Sequence, residues 1–439
     1  MSYDILFKDI TLITMRDEAP VLHSTCLGVK DGKIAYMGRK DPGEAKRVID
    51  GRGKVLMPGL INAHTHLPMT LMRGYADDYD LQTWLNDYIF PVEDKLDSRA
   101  VKCGTLLGIA EAIRTGTTSV SDMYYFCDDI CRAVEESGIK ANISRSCVLF
   151  TDPIEDDFRF DTHQGCSESA ELFEKWHKAD DGRIKIDMSI HAEYTSNYLL
   201  WEALSDFAKE KGAAMQVHIS ETKSEHEQCL DRHGLTPASV LSCHGVFDVP
   251  VTAAHCVWVE DEDIALMARK GATAVHNPVS NLKLGSGVAP AKKMMEAGLN
   301  VALGTDGVAS NNNHDMFREI NAAALIHKGT NTDPTCVTAW EALKMATVGG
   351  AKAQGRENEC GQLAIGFDAD LIMLDLSAPH MVPCHNVISN IVYSATGNDV
   401  CLTMVRGNIL YEDGVWNTID LTEVYQELAN HAIPKLFGK

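Results

Sequence analysis

The chain has no apolar run long enough to cross a bilayer. No uncharged stretch approaches the roughly 18–20 residues a membrane helix needs. Its first residues, Met1-Ser2-Tyr3-Asp4-Ile5-Leu6-Phe7-Lys8-Asp9, lack the basic start and apolar centre of a secretory signal. Membrane attachment and export are therefore not expected, and a cytoplasmic location is. Positive charge is also scarce: 40 Lys and Arg face 62 Asp and Glu, for a formal charge of −22. A field of that sign repels phosphate backbones and anionic lipid. It excludes nucleic acid as an expected partner and leaves a small nucleoside open. The 13 cysteines are odd in number, scattered, and include no Cys-x-x-Cys pair. Cys127 and Cys131, four apart, fit one helix face. Reduced thiols are expected, not a disulfide framework. No Gly-x-Gly-x-x-Gly follows an early strand, which removes the main signal of a dinucleotide fold. No internal repeat is visible.

What is present suffices for a large core. The 439 residues are 45% hydrophobic and 23% charged, as in an ordinary soluble enzyme. Residues 3–56 read as short strands, with Asp31-Gly32 as a hairpin turn. From residue 59 the pattern changes. Eight apolar runs (60–66, 118–123, 139–146, 184–191, 214–219, 251–255, 272–277 and 300–305) alternate with helix-length segments. Those segments are 98–115, 127–137, 165–179, 198–211, 224–232, 261–270, 289–298 and 314–328. The alternation predicts a (β/α)8 TIM barrel, an α/β fold. β character returns after about residue 362, and these strands are expected to join the N-terminal ones in a small β-sandwich. The expected division is 1–57 and 362–420 for the two parts of the small β domain, 58–361 for the barrel, and 421–439 for a terminal helix and tail. The long loop from Leu67 to Asp97 is expected to be functional.

In such a barrel, chemistry sits at the C-terminal ends of the strands. The first run ends in His64 and His66, which share one face of a strand. Later runs end near Arg145, His191, His218, His255, His276-Asn277 and Asp306, with Glu221 three residues after His218. Singly, each is an ordinary strand-end residue. Together they predict a metal site built from His64, His66, His218 and Asp306, with a further position for water. Three imidazoles and a carboxylate suit Zn2+, and the donor set also accepts Fe2+. Other motifs fail. His191-Ala192-Glu193 lacks the Pro-Cys-x-x-Cys of cytidine-type deaminases. His226-Glu227 has Leu230 where a second histidine would stand. His163, His177, His233, His244 and His314 read as surface or loop residues. Ser98 and Glu168 read as ordinary first-turn helix residues.

Pro58-Gly59-Leu60-Ile61-Asn62-Ala63-His64-Thr65-His66, Val217-His218-Ile219-Ser220-Glu221-Thr222 and Gly304-Thr305-Asp306-Gly307 resemble metal motifs of the amidohydrolase superfamily. Leu71-Met72-Arg73-Gly74, Trp84-Leu85 and Phe90-Pro91-Val92-Glu93 resemble its 5′-methylthioadenosine/S-adenosylhomocysteine deaminase group. The resemblance implies one metal ion per subunit, a homo-oligomer, and hydrolytic deamination of adenine nucleosides modified at the 5′ position. It implies that Glu93 binds the ribose, that Arg145 and His191 contact the purine or the 5′ substituent, and that Trp84 walls the pocket. Asp306 would take a proton from the attacking water. Glu221 would deliver one to the ring nitrogen beside C6, and His255 would orient the nucleophile. Glu193 stands where the group has proline, and an extra carboxylate near the pocket is expected from it. The group's second substrate arginine finds its match in Arg159, whose own surroundings in the sequence read as those of a solvated loop cation. Competing readings are a related enzyme acting on guanine, cytosine or a chlorotriazine, and an inactive scaffold. A binuclear cyclic-amide hydrolase would carry its carbamylated lysine at the end of the fourth strand, where His191 stands and Lys185 does not.

Overall fold

The computed structural model describes residues 2–40, 42–151 and 157–438. Eight parallel strands run in simple sequence order around a nearly closed barrel. They are β1 (Leu60–Thr65), β2 (Thr117–Tyr124), β3 (Lys140–Arg145), β4 (Ile184–Ala192), β5 (Met215–Ile219), β6 (Val251–His255), β7 (Thr273–His276) and β8 (Asn300–Leu303). Each coincides with an apolar run read from the sequence. Every residue of β1, β2, β5, β6 and β7 is buried, as strands covered on both faces must be. The ladder closes by a different route. No backbone ladder joins β1 to β8 among the described residues. Instead the Thr305 amide donates to the Asn62 side chain at 3.0 Å, and the Asp306 amide donates to the His64 carbonyl at 3.0 Å. Gly304 permits this approach, because a Cβ there would lie 2.5 Å from Asn277 Oδ1 and 2.8 Å from the His64 carbonyl.

The outer helices follow the expected segments, with familiar local chemistry at their ends. Asp97 caps Ser98–Arg114 by accepting from the Ala100 amide. Gly212, Gly234 and Gly271 take left-handed conformations at the C-termini of three others. The segment expected as a loop over 67–97 is largely helical. A 3-10 helix, Leu67–Met72, carries Pro68 in its first turn. Asp80 then starts a short helix that widens into a π-helical turn at Trp84–Ile89 and continues through Glu93. This helical lid lies over the barrel mouth and carries Trp84 and Glu93 toward it.

The terminal segments form one nine-stranded mixed sheet. Leu371–Asp375 pairs antiparallel with Lys54–Pro58, which joins the two ends of the chain. The sheet folds over a core of its own, including Phe7, Leu27, Ile34, Leu56, Leu371 and Met404. At the hand-over to the barrel, Gly59 is packed so tightly on Thr118 that a Cβ would meet its Oγ1 at 2.1 Å. No described helix is long and apolar enough to cross a membrane.

Candidate active site

The C-terminal ends of the strands bring four of the expected donors to one point. Ligand atoms of His64, His66 and His218 lie within 4.8 Å of one another, and so do those of His64, His255 and Asp306. Asp306 Oδ1 is 3.2 Å from His66 Nε2 and 3.5 Å from His64 Nε2. The ring orientations are fixed from behind. His66 Nδ1 lies 2.5 Å from the Met123 carbonyl, and His218 Nδ1 lies 2.6 Å from the His191 carbonyl. A carbonyl only accepts, so both Nδ1 atoms carry hydrogen and both Nε2 atoms are turned to the centre. His64 Nε2 is buried without a hydrogen-bond partner. A buried nitrogen left this way among two more imidazoles and a carboxylate fits a divalent ion of the zinc type.

Asp306 is held with care. Its Oδ2 accepts from Ser280 Oγ and Ser310 Oγ, each at 2.7 Å. That leaves Oδ1 for the centre. Burial alone would raise its carboxyl, but the His64 and His66 imidazoles beside it hold it well below the usual range. Burial drives the His218 imidazole well below its ordinary value, and neighbouring imidazoles add to the effect, so it is held neutral. The backbone is bent to suit: Ser220, His255 and Asp306 have φ of 47°, 70° and 61°.

Two further groups face the centre. Glu221 Oε2 lies 3.7 Å from His255 Nε2, and Glu221 Oε1 is buried without a partner. Burial raises the Glu221 carboxyl, which suits a group that carries a proton. Its backbone is pinned by Glu225, whose carboxylate accepts the Ser220 amide at 2.9 Å and the Glu221 amide at 2.7 Å. His255 Nδ1 donates to Asn281 Oδ1 at 2.8 Å, which turns Nε2 inward.

A cavity of about 50 Å³ lies over this cluster, beneath the lid. Trp84 and Glu93 from the lid and His191 from β4 line it, as expected. Trp84 Nε1 and Glu93 Oε1 are buried without partners. Burial pushes the Glu93 carboxyl up to about 7. The cavity shares Phe90, Glu93 and Tyr125 with an outer chamber of about 750 Å³. Arg145 lines the chamber, with its guanidinium 4.9 Å over the Tyr125 ring.

Several expectations fail. Glu193 does not reach either cavity. β4 ends at Ala192 and the next three residues turn into a 3-10 helix, which swings Glu193 away to Arg232 and His233. His314 is fully buried, with Nδ1 3.1 Å from Thr305 Oγ1, and is no surface residue. Glu168 is no idle helix residue either, because it binds Arg145 in the outer chamber. His276, read from the sequence only as a strand-end residue, stands beside His327, 3.2 Å away. Arg159, by contrast, is the solvated loop cation expected: it is exposed, 3.9 Å from Asp157, and lines neither cavity. Ser280, Ser310 and Asn281 were not singled out by sequence reasoning. Their signal was position alone, since each follows the end of β7 or β8.

Comparison with known proteins agrees with this geometry. The profile of the Amidohydrolase family matches residues 55–410. A 5-methylthioadenosine/S-adenosylhomocysteine deaminase from Acetivibrio thermocellus is 43% identical over 426 residues, covering 96% of this chain and 97% of its own. A 5′-deoxyadenosine deaminase from Methanosarcina mazei is 42% identical, covering 97% and 96%. The crystal structure of an adenosine deaminase from Xanthomonas campestris with bound zinc superposes with a TM-score of 0.92 at 32% identity, covering 98% of each chain. The match spans both the barrel and the motifs that build its mouth, and the chain belongs to the Amidohydrolase family.

Proposed function

We propose that this protein hydrolyses the 6-amino group of adenine nucleosides modified at the 5′ position, giving the inosine analogue and ammonia. Its substrates on this reading are 5′-methylthioadenosine, S-adenosylhomocysteine, 5′-deoxyadenosine and adenosine. The relatives named for these activities support the reading across nearly their whole length. The observation that carries it is the meeting of His64, His66, His218 and Asp306 beside a buried, partnerless Glu221 oxygen.

His64, His66, His218 and Asp306 would hold one Zn2+ per subunit. Bound there, a zinc ion supplies a water acidified toward neutrality. Asp306, whose Oδ2 is held by two serine hydroxyls, turns Oδ1 to the centre, where it would also take the proton of the attacking water. Glu221 delivers a proton to the ring nitrogen next to C6. The C6–O bond forms, the proton taken by Asp306 passes to the amino nitrogen, the C6–N bond breaks to release ammonia, and the proton of the C6 hydroxyl returns to Glu221. His255, oriented by Asn281, hydrogen-bonds the oxygen arriving at C6. Glu93 accepts from the ribose hydroxyls, and its burial makes that hydrogen bond selective. Trp84 walls the purine, and His191 and Arg145 face the rest of the nucleoside.

The acidic surface and thirteen thiols fit a cytoplasmic compartment. The resemblance also implies a homo-oligomer, which sedimentation of the purified chain measures. Ammonia release from adenosine, 5′-deoxyadenosine, methylthioadenosine, S-adenosylhomocysteine, guanine and cytosine tests the function. Turnover of the nucleosides and none of the free bases is expected. Faster release from guanine or cytosine would replace this reading with that of a base deaminase.

A further inference from the structure

The outer chamber begins where the 5′ end of a bound nucleoside would emerge, because Glu93 belongs to both cavities. Its one deep cation is Arg145, and that cation is engaged. Arg145 Nε donates to Glu168 Oε2 at 2.6 Å, and Nη1 donates to the Ser146 carbonyl. The guanidinium also lies over the Tyr125 ring. Glu168 is itself fixed, since Gln164 Nε2 donates to its other oxygen at 2.7 Å. The second cation of the chamber, Lys175, is bound by Asp128. Asp94, Asp129 and Glu171 add further carboxylates to the wall. The remaining wall is apolar, with Phe90, Val148, Phe150 and Leu172. A carboxylate arriving on a 5′ substituent meets a neutralised arginine and an excess of like charge. A thioether or alkyl group meets an aromatic and aliphatic surface.

We propose that Glu168 is a specificity-determining residue. By occupying Arg145 it makes the 5′ subsite favour neutral substituents over those that end in a carboxylate, so that S-adenosylhomocysteine is a slower substrate than 5′-methylthioadenosine. The proposal rests on the nucleoside deaminase reading and adds to it the class of 5′ group preferred.

The test compares two thioethers: 5′-methylthioadenosine, whose substituent is a neutral methyl, and 5′-S-(2-carboxyethyl)-5′-thioadenosine, whose longer substituent ends in a carboxylate. The wild-type holoenzyme should favour the methylthio compound in kcat/KM by about tenfold or more, the scale of like-charge discrimination. Glu168→Gln should lower that ratio by about tenfold, through the KM of the carboxylate substrate. Adding Arg145→Gln to Glu168→Gln should restore the preference for the methylthio compound, because the freed cation is then gone. An unmoved ratio in Glu168→Gln, or a wild-type enzyme that prefers the carboxylate substrate, would overturn the proposal and leave the deaminase reading intact. No ammonia from either compound in the wild type would overturn both.

Discussion

The two ends of the barrel bury charge in opposite ways. At the N-terminal end of the strands, Lys140 is fully buried, with its ammonium 2.7 Å from Asp368 and 2.5 Å from Asp370. Arg356, also fully buried, donates to the carbonyls of Gly182, Ala141 and Arg183 and to Asn142 and Glu359. Every charge there has a partner. At the C-terminal end, the His64, Glu93 and Glu221 side chains each keep a buried polar atom without one. Unpaired buried groups destabilise a fold. Keeping the ionisable ones among the described residues toward the C-terminal end separates what holds the barrel together from what it is for.

Changes at the two ends should therefore have different signatures. The largest effect belongs to the mouth. His218→Ala should lose bound metal and activity together, with turnover down by about 10³-fold or more, the several kcal/mol such a site contributes. Metal content by mass spectrometry beside the rate of ammonia release checks it, and full activity without metal would break the contrast. Glu221→Gln should separate the two. It keeps the metal and loses about 10²–10⁴-fold in kcat, the usual share of a positioned acid-base group.

At the other end, Lys140→Met should cost about 3–5 kcal/mol of stability by stranding buried carboxylates. Urea unfolding reads that loss, while kcat of the folded fraction should stay near wild type. The same pair predicts a pH effect. Burial alone would raise the Asp368 carboxyl, but Lys140, Lys33 and Arg406 hold it well below its ordinary 3.8. A depressed carboxyl contributes stability that is fully present above the unfolded value and lost as pH falls through the folded one. Wild-type stability should therefore decline below about pH 4, and Lys140→Met should flatten that decline. The smallest effect should come from Ser280→Ala, which leaves Asp306 Oδ2 with Ser310 alone. A loss of about 10–100-fold in metal affinity is typical of such outer partners, with a wild-type unfolding midpoint in urea.

The sequence revealed these two ends unequally. Strand and helix positions were legible because apolar runs and amphipathic periods are local signals. His64, His66, His218, His255 and Asp306 were legible because a barrel places strand ends at one mouth, so order along the chain became position in space. Pairings that depend on side-chain direction were not. Glu193 lies two residues beyond His191 and shares its face only while the strand continues, which it does not past Ala192. Arg145 and Glu168 meet across 23 residues of chain, one from a strand and the other from a helix. His314 sits in a turn, where nothing in the local pattern marks it as buried. The lid escaped as helix because its turns are short and one is π-helical, which blurs the 3.6-residue period.

The seam between β1 and β8 has a mechanical consequence. The barrel is a ring with a clasp, and the clasp is the Asp306 amide on the His64 carbonyl and the Thr305 amide on Asn62. The same residues, His64 and Asp306, reach inward from its two sides. An ion held between them would pull the clasp shut. Stripping that ion should then speed amide exchange first at 305 and 306, while the opposite wall of the ring stays protected.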